Sequence, residues 1–139
     1  MYEHIIVPID GSQHALLALQ HAIRLAQNET SCSITLLHIN PHLSINEVAI
    51  GVDLIALQEE EGRLILSDAE KLIAGSTIPY QAVCYTGDPA QLIVNKAKEE
   101  SADLIVMGSR GLSLFSELFI GSVSHKVVQH AHCAVMIVK

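Results

Sequence analysis

Short apolar runs of strand length alternate with longer segments of helical period along the chain. This alternation limits the fold more than any other feature of the sequence. "EHIIVPI" (3–9), "SITLLHI" (33–39), "YQAVCYT" (80–86), "DLIVM" (103–107) and "AVMIVK" (134–139) read as strands. Over 12–27, Ala15, Leu16, Leu19, Ala22, Ile23 and Ala26 recur at three- and four-residue intervals, which is one face of a helix. A second helix is expected over 53–74, with Leu57, Leu64, Ala69, Leu72 and Ile73 inward and the acidic run Glu59, Glu60, Glu61 in solvent. A third runs to Glu100, with Asp88 as N-cap and Pro89 at its first position. A fourth is expected over 122–130, and the connection 40–52 has no single period. Uninterrupted apolar strands separated by helices need a sheet covered on both faces. The pattern therefore predicts an α/β, mainly parallel, doubly wound layout in a single domain over 1–139.

Composition excludes several classes. Half of the 139 residues are hydrophobic and 17% are charged, enough to bury a core unaided and too apolar for disorder. Formal net charge is −7, from eight Lys/Arg against fifteen Asp/Glu, with no basic stripe. Nucleic acids and anionic membranes are poor partners for such a surface. No apolar run reaches the length of a membrane span, and "MYEHIIVPID" lacks the marks of a signal peptide. The three cysteines are odd in number, widely spaced and set in apolar contexts, which reads as reduced thiols in a cytoplasmic protein.

In doubly wound sheets, ligands bind outside the carboxyl ends of the strands where strand order reverses. Two such ends carry unusual turns, "PIDGS" after the first strand and "MGSRG" after the fourth. If those strands are neighbours, both loops open into one crevice. The stretch "GSRGLSLFSELFIGS" (108–122) holds three of the eight glycines of the chain. Two readings of it stand at this point. Gly108 and Gly111 can turn backbone N–H groups into an anion nest, with Gly121 and Ser122 opening a helix whose first N–H groups meet a phosphate. Alternatively, these glycines serve only turns and caps. Neither a Walker A loop nor Gly-x-Gly-x-x-Gly occurs.

The order "GSRG", nine residues, "GS" resembles the Gly-x-x-Gly-x9-Gly-Ser/Thr signature of the ATP-binding universal stress proteins. "HIIVPIDGS", "ITLLHI", "GDPAQLI" and "ADLIVMGSRG" resemble successive pieces of the same family, so the likeness covers almost the whole chain. It implies a Rossmann-like five-stranded parallel sheet in order 3-2-1-4-5. It implies ATP with Mg²⁺ or Mn²⁺ as cofactors, and a homodimer through the C-terminal strand. By the same resemblance, Asp10 approaches the triphosphate through the metal, although a cap with Ser12 is also open to it. Pro8 and Ile9 line the base and ribose side, and the main chain of Ile39 reads the adenine edge. Met107 packs on the base or in the core. Gly108, Ser109, Arg110 and Gly111, with Gly121, Ser122, Val123 and Ser124, contact ribose and phosphates. Arg110 either reaches the phosphates or lies in solvent. One departure is "HAHCAV", where His132 and Ala134 replace two prolines common in the family.

The function implied is a nucleotide-dependent stress-response module, acting on a protein partner that the sequence does not name. No catalytic residue is read from it, and at most weak ATP hydrolysis is expected. Its rivals are a slow ATPase or nucleotide-transfer enzyme on the same fold, and a dimeric scaffold that binds no nucleotide. The edge position expected for "AVMIVK" supports the dimer independently, because an apolar edge strand needs a partner. His125, His130, His132 and Cys133 invite a zinc site, but His125 and His130 lie on different sides of a helix and no fourth ligand spacing completes it. His4 and His38 read as hydrogen-bonded histidines of their strands.

Overall fold

β1 (His4–Pro8) is the middle strand of a five-stranded parallel sheet ordered β3-β2-β1-β4-β5. The computed structural model describes residues 1–43, 53–109 and 121–139. Along the chain come β1, α1 (Gln13–Gln27), β2 (Ser33–Asn40), α2 (Leu54–Ile73), β3 (Tyr80–Thr86), α3 (Pro89–Glu99), β4 (Leu104–Gly108), α4 (Ser122–His130) and β5 (Ala134–Val138). Both the doubly wound class and the order 3-2-1-4-5 are as expected. β1 pairs with β4 through Ile5↔Leu104 and Ile6↔Ile105, so the first and fourth strand ends lie side by side. The strand order reverses there.

Alternating residues of each strand go to opposite faces. Ile5, Val7, Ile34, Leu36, Leu104 and Val106 pack beneath α1 and α2, while Ile6, Leu37, Ile105 and Met107 pack beneath α3 and α4. Ile5, Ile6 and Val7 are completely buried in succession, which is why β1 reads as an unbroken apolar run. Burying each such side chain contributes about 1.5–3 kcal/mol. Helix α1 buries Ala15, Ala18, Leu19, Ala22 and Ala26, close to the expected face.

Helix α2 is rotated from its expected setting. Leu57 and Leu64 are more than half exposed, and the inward stripe is Gly62, Leu66, Ala69 and Ile73. The helix carries two overlapping apolar stripes, and the approach to the sheet selects between them. Gly62 is the position where α2 crosses His38 and Asn40, and a Cβ there would press on both side chains, at 3.0 and 3.2 Å. The expected acidic face is exposed at Glu59, Glu60 and Glu61.

The end of the sheet away from the strand carboxyl ends is held by a polar network. The Glu100 carboxylate accepts from Lys96 Nζ, Gln81 Nε2 and Thr35 Oγ1, each at 2.8 Å, and meets His4 Nε2 at 2.6 Å. His4 Nδ1 in turn lies 2.7 Å from Ser33 Oγ. Burial opposes ionisation of Glu100, but the hydrogen bonds from Lys96, Thr35 and His4 outweigh it and hold the carboxyl below its ordinary range. Asp103 accepts the backbone N–H groups of His4 and Glu3, which lowers its carboxyl too. The network ties β1, β2 and β3 to α3.

Candidate functional site

A cleft of about 350 Å³ opens at the carboxyl ends of β1 and β4. Three helices begin at its walls. Ser12 and Ala15 come from the start of α1, Pro89 and Ile93 from α3, and Ser122, Val123 and Ser124 from α4. The first N–H groups of a helix have no partner within it and carry the positive end of its dipole, so this wall suits an anion. The start of α4 is the most open of the three, since Gly121 caps it without a side-chain hydrogen bond. Ser12 caps α1 through Ala15 N–H and Asp88 caps α3 through Gln91 N–H. The strand ends add the apolar lining of Pro8, Ile9, Leu37, Ile39 and Met107.

The "PIDGS" turn is built locally. Asp10 Oδ1 accepts from Ser12 N–H at 2.9 Å and from Ser12 Oγ at 2.5 Å, and Gly11 takes the left-handed φ of +87° that closes the turn. One carboxylate oxygen of Asp10 is thus committed to the cap. Asp10 is the only acidic side chain among the described lining residues.

The chain leaving β4 is fixed by a clamp at Ser109. Ser109 N–H donates to the Val138 carbonyl at 2.8 Å, and the Ser109 carbonyl accepts from Gly121 N–H at 2.6 Å. Ser124 Oγ donates to the Gly108 carbonyl at 2.9 Å, a bond made inside the fold by a buried side chain. Gly108 stays in strand geometry, without a left-handed φ. Its lack of a side chain has another cause: an added Cβ would stand 2.7 Å from His14 Cβ and 2.8 Å from the His14 carbonyl carbon. Close approach of α1, rather than a nest, requires this glycine.

Of the sequence-derived residues, Pro8, Ile9, Asp10, Ile39, Met107, Gly108, Gly121, Ser122, Val123 and Ser124 line one cleft. Ser109 is buried behind it in the clamp. Arg110, Gly111 and the residues between the glycines up to 120 lie outside the described residues, as do 44–52 of the connection after β2. Ser12, Ala15, Leu37, Pro89 and Ile93 also line it and were not among the expected site residues. Leu37 was readable two residues before Ile39 on the same strand face, and Pro89 and Ile93 are one helical turn apart.

A doubly wound parallel sheet with a cleft at its switch point defines the Rossmann-like α/β class. The family model of the Universal stress protein family matches residues 1–139, and the chain belongs to that family. It is 34% identical to universal stress protein YxiE of Bacillus subtilis, with all of both chains covered. Among solved structures, it resembles MJ0577 of Methanocaldococcus jannaschii at TM-score 0.87 and 28% identity, covering 100% of this chain and 96% of the other. It also resembles a universal stress protein solved in complex with cAMP, at TM-score 0.74 and 25% identity, covering 99% and 97%.

Proposed function

We propose that the cleft binds an adenine nucleotide, ATP in the first place, and that the protein acts as a nucleotide-dependent stress-response module. The observation that carries this reading is a cleft lined both by helix starts and by apolar side chains, suited to a phosphate chain and a planar base respectively. A solved relative in complex with cAMP supports the adenine class. Ser122 and Val123 offer the N–H groups of α4 to the phosphates, and Ile9, Ile39 and Met107 enclose the base. No residue is assigned a catalytic role.

The donor set fits a divalent cation only in part. Among the described residues no three His, Cys, Asp or Glu side chains come together. Mg²⁺ is commonly held by one or two carboxylates, with phosphate oxygens and water completing the shell. Asp10 would be the protein ligand, and Mg²⁺ or Mn²⁺ would neutralise phosphate charge once the nucleotide is bound.

The same proposal includes a homodimer through β5, the edge strand on the α4 side of the sheet, and a cytoplasmic setting, consistent with three free cysteines. The test of binding is calorimetry and thermal shift with ATP, with and without Mg²⁺. Several charge-assisted backbone bonds should give about micromolar affinity, near −8 kcal/mol. Ser122→Asp places a carboxylate where it favours the helix but repels phosphate. Its melting temperature should match or exceed that of wild type, while ATP affinity falls about tenfold or more. Unchanged affinity in this variant would remove the phosphate assignment.

A further inference from the structure

His38 is buried on the α1/α2 side of the sheet. Its Nδ1 lies 2.6 Å from the Ile9 carbonyl oxygen. A carbonyl only accepts, so Nδ1 carries the proton and donates. Nε2 lies 2.9 Å from the carboxamide of Asn40, itself buried. Gly62 of α2 leaves room for the pair: a Cβ there would stand 3.0 Å from His38 Cδ2 and 3.2 Å from Asn40 Oδ1. The bond at Nδ1 and the close neighbours Asn40 and Gly62 hold the imidazole in one orientation.

The bond to Ile9 stands where a sheet rung would otherwise be. Odd-numbered residues of β2 turn their main-chain groups toward β1: Ser33 N–H donates to the Glu3 carbonyl, and the Leu37 carbonyl accepts from Ile9 N–H. Even-numbered residues face β3, as in Ile34 N–H to the Pro79 carbonyl and Gly87 N–H to the Asn40 carbonyl. The next rung toward β1 would run from Ile39 N–H to the Ile9 carbonyl. That rung is not made; the Ile9 carbonyl bonds His38 instead. Ile9 and Ile39 both line the cleft, so the unclosed rung lies at its apolar lining.

We propose that His38 is a positioning residue for base recognition, drawing the Ile9 carbonyl off the β1–β2 ladder so that the main chain of Ile39, without a rung to β1 among the described residues, is left for the cleft. A residue in that state presents one donor and one acceptor in a plane. It suits a planar base edge with an acceptor beside a donor, as adenine has. The assignment rests on the nucleotide reading of the cleft, and it has a readout that does not.

Three substitutions and two measurements test it. His38→Asn keeps a donor near the Nδ1 position, whereas His38→Leu has none and His38→Gln carries its amide out toward Nε2. Without nucleotide, amide exchange by NMR should find Ile39 fast in wild type and in His38→Asn. It should be slowed about tenfold or more in His38→Leu and His38→Gln, where the rung can close. ATP affinity should fall about tenfold in those two variants and stay within about threefold of wild type in His38→Asn. A merely structural histidine would lower the melting temperature of all three variants without moving Ile39 exchange. An Ile39 amide protected in wild type as strongly as Leu37 overturns the proposal, and so does wild-type ATP affinity in His38→Leu. If His38→Leu does not fold, wild-type exchange and the Asn–Gln contrast decide the matter. Should wild type bind no ATP, the nucleotide reading falls, and Ile39 exchange still tests what His38 does to the ladder.

Discussion

Gly108→Ala adds one methyl group where the structure has least room for it. The new Cβ would lie 2.7 Å from His14 Cβ, 2.8 Å from the His14 carbonyl carbon and 3.0 Å from its oxygen. Ordinary carbon–carbon contacts sit near 3.5–4.0 Å, so about an ångström must be found. None of the three atoms is the free end of a flexible side chain. Two belong to the backbone of the first turn of α1, and the third is attached to it. Either α1 lifts from the sheet, losing packing of Ala15 and Ala18 over β1 and β4, or β4 bends away from β1. Overpacking of this kind costs about 1–3 kcal/mol, against which alanine recovers about 0.4–1 kcal/mol of unfolded-state entropy. The net loss should be about 1–2 kcal/mol. At about 3–5 °C per kcal/mol for a chain of this size, the melting temperature should fall by about 3–10 °C. Differential scanning calorimetry on the protein without nucleotide measures it. A variant as stable as wild type, or more stable, would refute the reasoning and return Gly108 to the role of a conformationally free turn residue.

The polar network beneath the sheet makes a pH prediction. The Glu100 carboxyl titrates below its ordinary value of 4.5, so its stabilisation is complete above that value and is lost as pH falls through the lower folded-state value. Asp103 acts in the same direction. Glu100→Gln should cost about 2 kcal/mol at neutral pH and flatten the acid limb of the stability curve; an unchanged limb in urea titrations would count against the network. A second prediction concerns β5. The Val138 carbonyl accepts from Ser109 N–H just beyond β4, so even-numbered residues of β5 face β4, and Val135 and Ile137 turn their N–H groups to the open edge. Val135→Pro should therefore leave the β4 ladder intact and dissociate the proposed dimer, with sedimentation giving half the wild-type mass. A wild-type monomer at tens of micromolar would end the dimer proposal.

The layers of the fold were legible because apolar period is local, and so was the Asp10–Ser12 turn, whose partners are two residues apart. Strand order was not. The periodicity of β1 and β4 is compatible with several arrangements, and their adjacency came from resemblance to a family. The rotation of α2 escaped because Leu57 and Leu64 are as apolar as the residues that were buried. What decides between the stripes is the contact of Gly62 with a strand more than twenty residues earlier. Gly108 was read as a nest or turn glycine, because the neighbour that requires it, His14, lies 94 positions away in a different element. His38 shows the same limit. Its residue type and strand were readable, while its bond to Ile9, 29 residues away, exists only once β1 and β2 are side by side.

The clamp at Ser109 joins parts of the chain that lie far apart in sequence. Its N–H holds the end of β5 at Val138, its carbonyl holds Gly121, and Ser124 fastens the start of α4 to Gly108. The last strand and the helix start that lines the cleft are therefore fixed through one residue, and a disturbance at Ser109 would loosen both together.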